Sequence, residues 1–544
     1  MSNGFLTAAN TGVSSTQNGA KAYRSTGSAL ADQFAKASTF RGRKLSEVFV
    51  DQSILAGEDA TSAIRFLFYN RLVTRKVQVL SENTTATDKV QLGQGQRDES
   101  FKRFLYYAQN KPEVFYGNLW LMLTVGSFRD MWDLMVIAKQ EGIMLDRQRM
   151  YDVYTQLAQF SDLSKKFLPT MRPLAQQITE RSKFRNIFAR EYRDFLGITN
   201  SLYRKLKESG TAHDWQKAIA RKELKSINFG NIPGKALALL TKGKFLANQK
   251  LEDSYLKWID NQPVDKFTGY AYELLMNYNV AGIYSTKPLL NTINKQFDGL
   301  IELAKENNGG INGNVWCALD TSASMTTIVA GSEKARAIDV CKSLGIYFST
   351  LNTGAFHKNV IMFDSTSKVQ QLQGNFTDMV SQIPDNAMGS TNFQSVIAEI
   401  IRIRVTNPSI PLSDYPQTLI VVSDMQFNPA RTGYSYAHNI LSTSSIDYTN
   451  HELACKKLAM HFPAEFMESF KFIWWDVTHA DNGNVPARLQ DIGTYVYSGF
   501  DGSVITMLLG GEGVKVNGEL KKNPSMTEMI QATLDQEILT LATV

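Results

Sequence analysis

Apolar positions recur at two different spacings along the 544-residue chain, and the change falls near residue 307. Before it, DATSAIRFLFYNRLV (59–73), ESFKRFLYYAQN (99–110), FRDMWDLMVIAKQEG (128–142), MYDVYTQLAQF (150–160) and YAYELLMNYN (270–279) place apolar residues every three or four positions. That is the period of an amphipathic helix. Short polar connections such as NKPE (110–113) separate the segments and predict paired helices stacked as a HEAT-like solenoid. Within RSKFRNIFAREYRDFLGITNSLYRKLKESG (181–210), Phe184, Phe188, Tyr192 and Phe195 form one aromatic stripe, the spacing that burial in a helical core requires.

At NNGGINGN (307–314) Gly and Asn interrupt the helical pattern. Beyond it the short apolar runs VWCAL (315–319), NVIMF (359–363), TLIVV (418–422) and FKFIWW (470–475) alternate with amphipathic segments at 333–351, 393–405 and 452–462. Strand–helix alternation predicts a parallel, doubly wound, Rossmann-like α/β sheet. Trp474 and Trp475 are expected in or beside a strand, on opposite faces. The chain thus divides into a polar N-terminal segment (1–30), an all-α part (31–306), a Gly/Asn linker (307–314) and an α/β domain (315–544).

Composition narrows the class. The chain is 43% hydrophobic and 20% charged, ordinary for a globular protein. Cys317, Cys341 and Cys455 are too few and scattered for a disulfide framework or zinc site. A reducing, cytoplasmic setting is expected. The first 30 residues are polar, with no secretory signal, and runs such as LWLMLTV (119–125) fall short of the roughly 20 residues a membrane helix needs. A soluble protein with no membrane partner is expected.

The net charge of +6 conceals an asymmetry. Residues 1–310 hold 43 Lys and Arg against 30 Asp and Glu, whereas 311–544 hold 15 against 22. Residues 161–250 alone carry 19 basic and 7 acidic side chains, a distribution suited to a polyanionic partner. Candidate phosphate contacts are Arg181, Lys183, Arg185, Arg190, Arg193, Arg204, Lys205, Lys207, Lys217, Arg221, Lys222 and Lys225. The cluster carries that expectation, since any single member is as well employed on a solvated surface.

Candidate chemistry gathers at strand ends. CALDTSASM (317–325) runs an apolar strand into Asp320, followed by Ser322 and Ser324; VVSDMQFN (421–428) ends a second strand at Asp424; and MGSTNFQ (388–394) offers Thr391 before a helix. In a doubly wound sheet these all reach the carboxyl edge. The donors are all oxygen, which suits a hard cation: Mg²⁺ first, with Mn²⁺ or Ca²⁺ as substitutes. An Asp-x-Ser-x-Ser stretch alone also serves as a turn and helix cap. GQGQ (93–96) and GGEG (510–513) lack the Gly-Lys-Ser/Thr ending of a phosphate loop, and no Ser/His/Asp spacing stands out among six histidines.

The five residues Asp320, Ser322, Ser324, Thr391 and Asp424 resemble, position by position, the metal-ion-dependent adhesion site of von Willebrand factor A domains, across about 311–510. The resemblance implies one divalent ion completed by an acidic group of a partner, a site for binding without catalysis. NGAKAYRSTGSALADQFAK (18–36), TVGSFRDMWDL (124–134), INFGNIPGKALALL (227–240) and DKFTGYAYELL (265–275) precede it in an order similar to the TROVE/Ro ribonucleoproteins and Ro-like proteins of uncharacterised function, which microbes and bacteriophages carry. That second resemblance implies a helical-repeat ring closed by the A domain and binding small structured or misfolded RNA, in the cytoplasm, or in a host cell or virion for a viral protein. The expectation is a non-enzymatic RNA-binding protein. The alternative is a protein–protein adaptor, or virion-associated structural protein, whose ion captures a partner carboxylate. A metal-dependent hydrolase is disfavoured, because no general base stands beside the ion.

Overall fold

The computed structural model describes residues 13–152 and 227–544 apart from short stretches, the longest being 431–447 and 501–513. The twelve candidate phosphate contacts between Arg181 and Lys225, the aromatic stripe at 184–195 and the segment 153–160 lie outside the described residues.

The strongest apolar runs become the central strands of one six-stranded sheet. Its members are β5 (Val315–Asp320), β6 (Asn359–Phe363), β7 (Ser367–Gln371), β8 (Thr418–Ser423), β9 (Lys471–Asp476) and β10 (Thr494–Ser498), in the order β10-β9-β8-β5-β6-β7. Strands β5 and β8 are buried at every position, as a strand covered on both faces must be. The sheet is mixed rather than wholly parallel, because β7 pairs antiparallel with β6. Its half-exposed SKVQQ sequence suits an edge that one face of solvent reaches.

Helices cover both faces. Trp474 and Trp475 sit on β9, where alternation sends them to opposite sides. Trp475 meets Phe348 of the helix Ala337–Leu351, with ring centroids 6.2 Å apart, and Trp474 meets Phe393 of the helix Phe393–Thr406 at 4.9 Å. The chain moves from β5 outward to β6 and later returns to β8 on the other side of β5. The strand order therefore reverses between β5 and β8, the position where open α/β sheets form a crevice at their carboxyl edge.

The N-terminal part is helical, with an addition that a purely all-α reading did not contain. Helices Leu45–Glu58, Ala60–Arg71 and Arg97–Asn110 pack together, but a two-stranded antiparallel hairpin, β3 (Val73–Leu80) and β4 (Ala86–Gln94), stands between the last two. VTRKVQVL is rich in β-branched residues, with Val73, Val77 and Val79 on one period of two, which suits a strand once a partner is supplied. The helices Ala60–Arg71, Arg97–Asn110, Asp130–Gln140 and Ala271–Ala281 lie inside or within two residues of a predicted segment, whereas Leu45–Glu58, Glu252–Asp260 and Lys287–Glu306 had none. Among the described residues no helix is long and apolar enough to cross a membrane.

A buried ionic cluster ties these helices. Arg103, fully buried, donates to Glu99 at 3.0 Å, Gln52 at 3.0 Å and Gln33 at 2.5 Å. Arg43 bridges Glu99 and Asp51 at 2.6 Å each. The Arg103 guanidinium also lies over the rings of Phe40 and Phe66, at 4.9 and 5.2 Å.

The two ends of the chain each cross to the other part. Within the polar N-terminal segment, β1 (Val13–Ser15) and β2 (Lys21–Tyr23) form a small antiparallel hairpin. Its Tyr23 exchanges backbone hydrogen bonds with Val485 of the α/β domain, at 2.9 and 2.7 Å. Conversely, the C-terminal helices Met526–Leu534 and Glu537–Thr540 pack on the helix Ala60–Arg71. The Gln536 side chain both accepts from Leu92 N, at 2.6 Å, and donates to Leu92 O, at 3.1 Å, imitating a strand neighbour on β4. One continuous apolar core therefore runs from Ala20 to Ala542.

Candidate metal centre

β5 delivers Asp320 and β8 delivers Asp424 to the crevice at the strand-order reversal. Both are buried, with 0% and 1% of their surface exposed. Asp320 Oδ1 accepts from the Ser322 amide at 2.9 Å and Oδ2 from the Ser423 hydroxyl at 2.5 Å. Asp424 Oδ1 accepts from the Gln426 amide at 3.1 Å. Burial first, and the neighbouring Asp424 charge second, push the Asp320 carboxyl well above the usual carboxylate range.

Three hydroxyls complete the group. The chain stays extended to Ser322 and then enters a 3₁₀ turn, Ala323–Thr326, which carries Ser324. Ser322 Oγ lies 3.2 Å from Ser324 Oγ and accepts from Thr391 Oγ1 at 3.0 Å. Thr391 precedes the helix Phe393–Thr406, and its loop turns at Gly389, whose φ of +85° suits glycine. A Cβ there would also meet Ser365 Oγ at 2.6 Å. Ser322 and Thr391 are buried while Ser324 is half-buried and Ser390 exposed, so the group opens to solvent on that side.

The donor set fits a hard divalent cation. Mg²⁺ in octahedral coordination at about 2.1 Å sets neighbouring ligand oxygens about 3 Å apart, the separation that Ser322 keeps from Ser324 and from Thr391. Among the described residues no group of three or more His, Cys, Asp or Glu gathers anywhere. A cation here would therefore rest on two carboxylates and on hydroxyls. Asp320, Ser322, Ser324, Thr391 and Asp424 are the residues that would hold it.

Other residues support the site. Ser423 links the two carboxylate strands, since its hydroxyl donates to Asp320 and accepts from the Met425 amide at 3.0 Å. Its position beside Asp424 in VVSDM was the available sequence signal. Cys341 places its thiol beneath the crevice, 3.6 Å from Asp320 O and 3.4 Å from Val422 O. Burial pushes that thiol far up, so it stays protonated. Asn428 N donates to Thr391 O at 2.9 Å, joining the Asp424 loop to the Thr391 loop.

Residues 315–541 match the family model described as a domain of unknown function (DUF7788). No curated protein and no solved structure matches the chain.

Proposed function

We propose that the α/β part is a von Willebrand factor A-type module that holds one divalent cation, and that this protein acts by binding rather than by catalysis. The observation that carries the reading is the convergence of two buried carboxylates and three hydroxyls at the strand-order reversal. Two like charges held together in a low-dielectric crevice are relieved by a cation. The solvent-facing side, at Ser324 and Ser390, leaves room for a ligand from outside, and a partner carboxylate is the chemistry such an ion takes. Calorimetric titration of EDTA-stripped protein with Mn²⁺ or Mg²⁺ tests this directly. One ion per chain, lost in Asp424→Asn, is the expected result, and no binding by the wild type refutes the reading.

A second reading is favoured by the charge distribution. With 19 basic against 7 acidic residues in 161–250, the protein is a candidate for Ro-type binding of small structured or misfolded RNA, the A-type module serving as its companion. Filter binding of a structured RNA at rising salt tests it. The expected outcome is affinity that falls by orders of magnitude between about 50 and 200 mM salt. Negligible binding at low salt refutes it.

A further inference from the structure

The turn that presents Asp424 is not self-supporting. Met425 has a φ of +62°, a left-handed conformation that side chains other than glycine adopt at a disadvantage. Such a residue persists where its surroundings over-determine it. Part of the restraint is local, from Ser423 and from the Asp424 carboxylate. Further restraint arrives from about 410 residues earlier in the chain. The hydroxyl of Thr16 donates to Phe427 O at 2.7 Å, the Gln17 amide donates to Gln426 Oε1 at 2.7 Å, and Asn18 Nδ2 donates to Gln426 O at 2.5 Å.

These contacts come from the turn of the β1–β2 hairpin, which is itself anchored on both sides. Thr16 Oγ1 accepts from the Ala20 amide at 3.0 Å, while Asn484 Nδ2 donates to Ser15 O at 3.2 Å. Beyond Phe427 the restraint passes to the next loop, because Asn428 donates from its backbone to Thr391 O and from its side chain to Ser390 Oγ, each at 2.9 Å. Thr391 in turn donates to Ser322. An unbroken series of hydrogen bonds therefore leads from the N-terminal hairpin through 426–428 to the hydroxyls of the centre.

We infer that the N-terminal hairpin is a strap that sets the geometry of the Asp424 and Thr391 loops, with Thr16 and Asn18 as positioning residues for the divalent cation. The inference rests on the metal reading above and deepens it. Displacement of residues 13–20, by proteolysis or by a competing strand, lets the Met425 turn relax and weakens the ion. Residues 13–20 hold no acidic side chain, so the strap shapes the site without supplying a carboxylate to it.

The test uses the full-length chain and two readouts, Mn²⁺ affinity by calorimetry and amide hydrogen exchange of residues 425–428 in EDTA. Thr16→Val with Asn18→Ala is expected to weaken Mn²⁺ by about tenfold or more, as loss of ligand-orienting partners does. Exchange at 425–428 should speed up while the global unfolding midpoint holds, and Thr16→Ser, which keeps the donor, should restore both. Unchanged affinity together with unchanged exchange overturns the strap. Slower folding or a lower midpoint with unchanged affinity also overturns it, leaving a merely structural contact. If the wild type binds no Mn²⁺, the metal reading fails, and the exchange data in EDTA still decide whether the hairpin controls the loop. Should the double variant lose its fold, Gln426→Ala, which deletes the side-chain acceptor of the Gln17 amide, is read in the same way.

Discussion

Two buried groups of charged side chains sit in this molecule, and they are built on opposite plans. In the helical part, Arg103 and Arg43 face Glu99 and Asp51, with Gln33 and Gln52 taking the remaining donors. Each charge has its opposite beside it, and aromatic faces cover the guanidinium. At the sheet crevice, Asp320 meets the like charge of Asp424, and its hydrogen-bond partners Ser322 and Ser423 are neutral. The first group is electrically closed and its work is internal. The second gathers like charge, which on the proposed reading a divalent cation relieves. Burial of charge alone does not mark a functional site; burial of like charges side by side makes a candidate for one.

The largest effect should come from opening the closed group. Arg103→Met leaves buried Glu99 to Arg43 alone and removes the donor to the Gln33 and Gln52 side-chain oxygens, and chemical denaturation should register a loss of about 3–5 kcal/mol. A far smaller loss would mean that the helical cluster is wetter, and more like the crevice, than its contacts indicate.

The crevice should respond with the other sign. In EDTA, Asp320→Asn relieves like-charge crowding and is expected to stabilise the fold by about 1–3 kcal/mol, read as a higher unfolding midpoint. The same variant should lose the stabilisation the wild type gains from Mg²⁺, about 2.7 kcal/mol at a hundredfold excess over the dissociation constant. Destabilisation of the variant in EDTA would place Asp320 with the paired charges instead.

His451 offers an intermediate case, a titratable group buried as its neutral form. Burial lowers its pKa, against the opposing charges of Asp491 and Glu452, and its Nε2 lies 3.1 Å from Thr494 Oγ1. The unfolded chain takes up a proton near pH 6.5 and the folded one resists it, so this contribution is present above about 6.5 and is lost as the pH falls below it. The slope is no steeper than about 1.4 kcal/mol per pH unit, the limit for one proton. His451→Gln should flatten it in urea titrations between pH 7 and 5.

The smallest effect belongs to the pair Arg402–Glu399, an exposed guanidinium against a half-buried carboxylate three residues away on one helix, at 2.6 Å. Arg402→Ala should shift stability by no more than about 0.5 kcal/mol, and less in high salt. It is the surface reference against which both buried groups are measured.

Legibility in the sequence followed the range of the interactions. VWCAL, NVIMF, TLIVV and FKFIWW announced β5, β6, β8 and β9, because a strand covered on both faces must be apolar throughout. SKVQQ did not announce β7, since an edge strand shares its pattern with a polar loop, and TYVYS is too short to separate from its surroundings. VTRKVQVL lay among strong helical segments, and only its pairing with 86–94 makes it a strand. Asp320, Ser322, Ser324, Thr391 and Asp424 could be grouped because a doubly wound sheet sends every strand end to one edge. Ser423 had a local signal, its place beside Asp424. Thr16, Asn18 and Gln426 had none, because their relation exists only once 410 residues have folded between them.

The crossing of the two chain ends has a practical consequence for anyone dividing this protein. The segment 315–541 reads as a self-contained unit, yet the turn after β8 is held by residues 16–18, and Met529 and Leu534 are buried in the core that includes the helix Ala60–Arg71. The halves clasp each other in the manner of a dovetail joint, each supplying a tongue for the other's groove. A fragment cut at the glycine-rich boundary would carry an apolar scar at one end and an unbraced loop at the other.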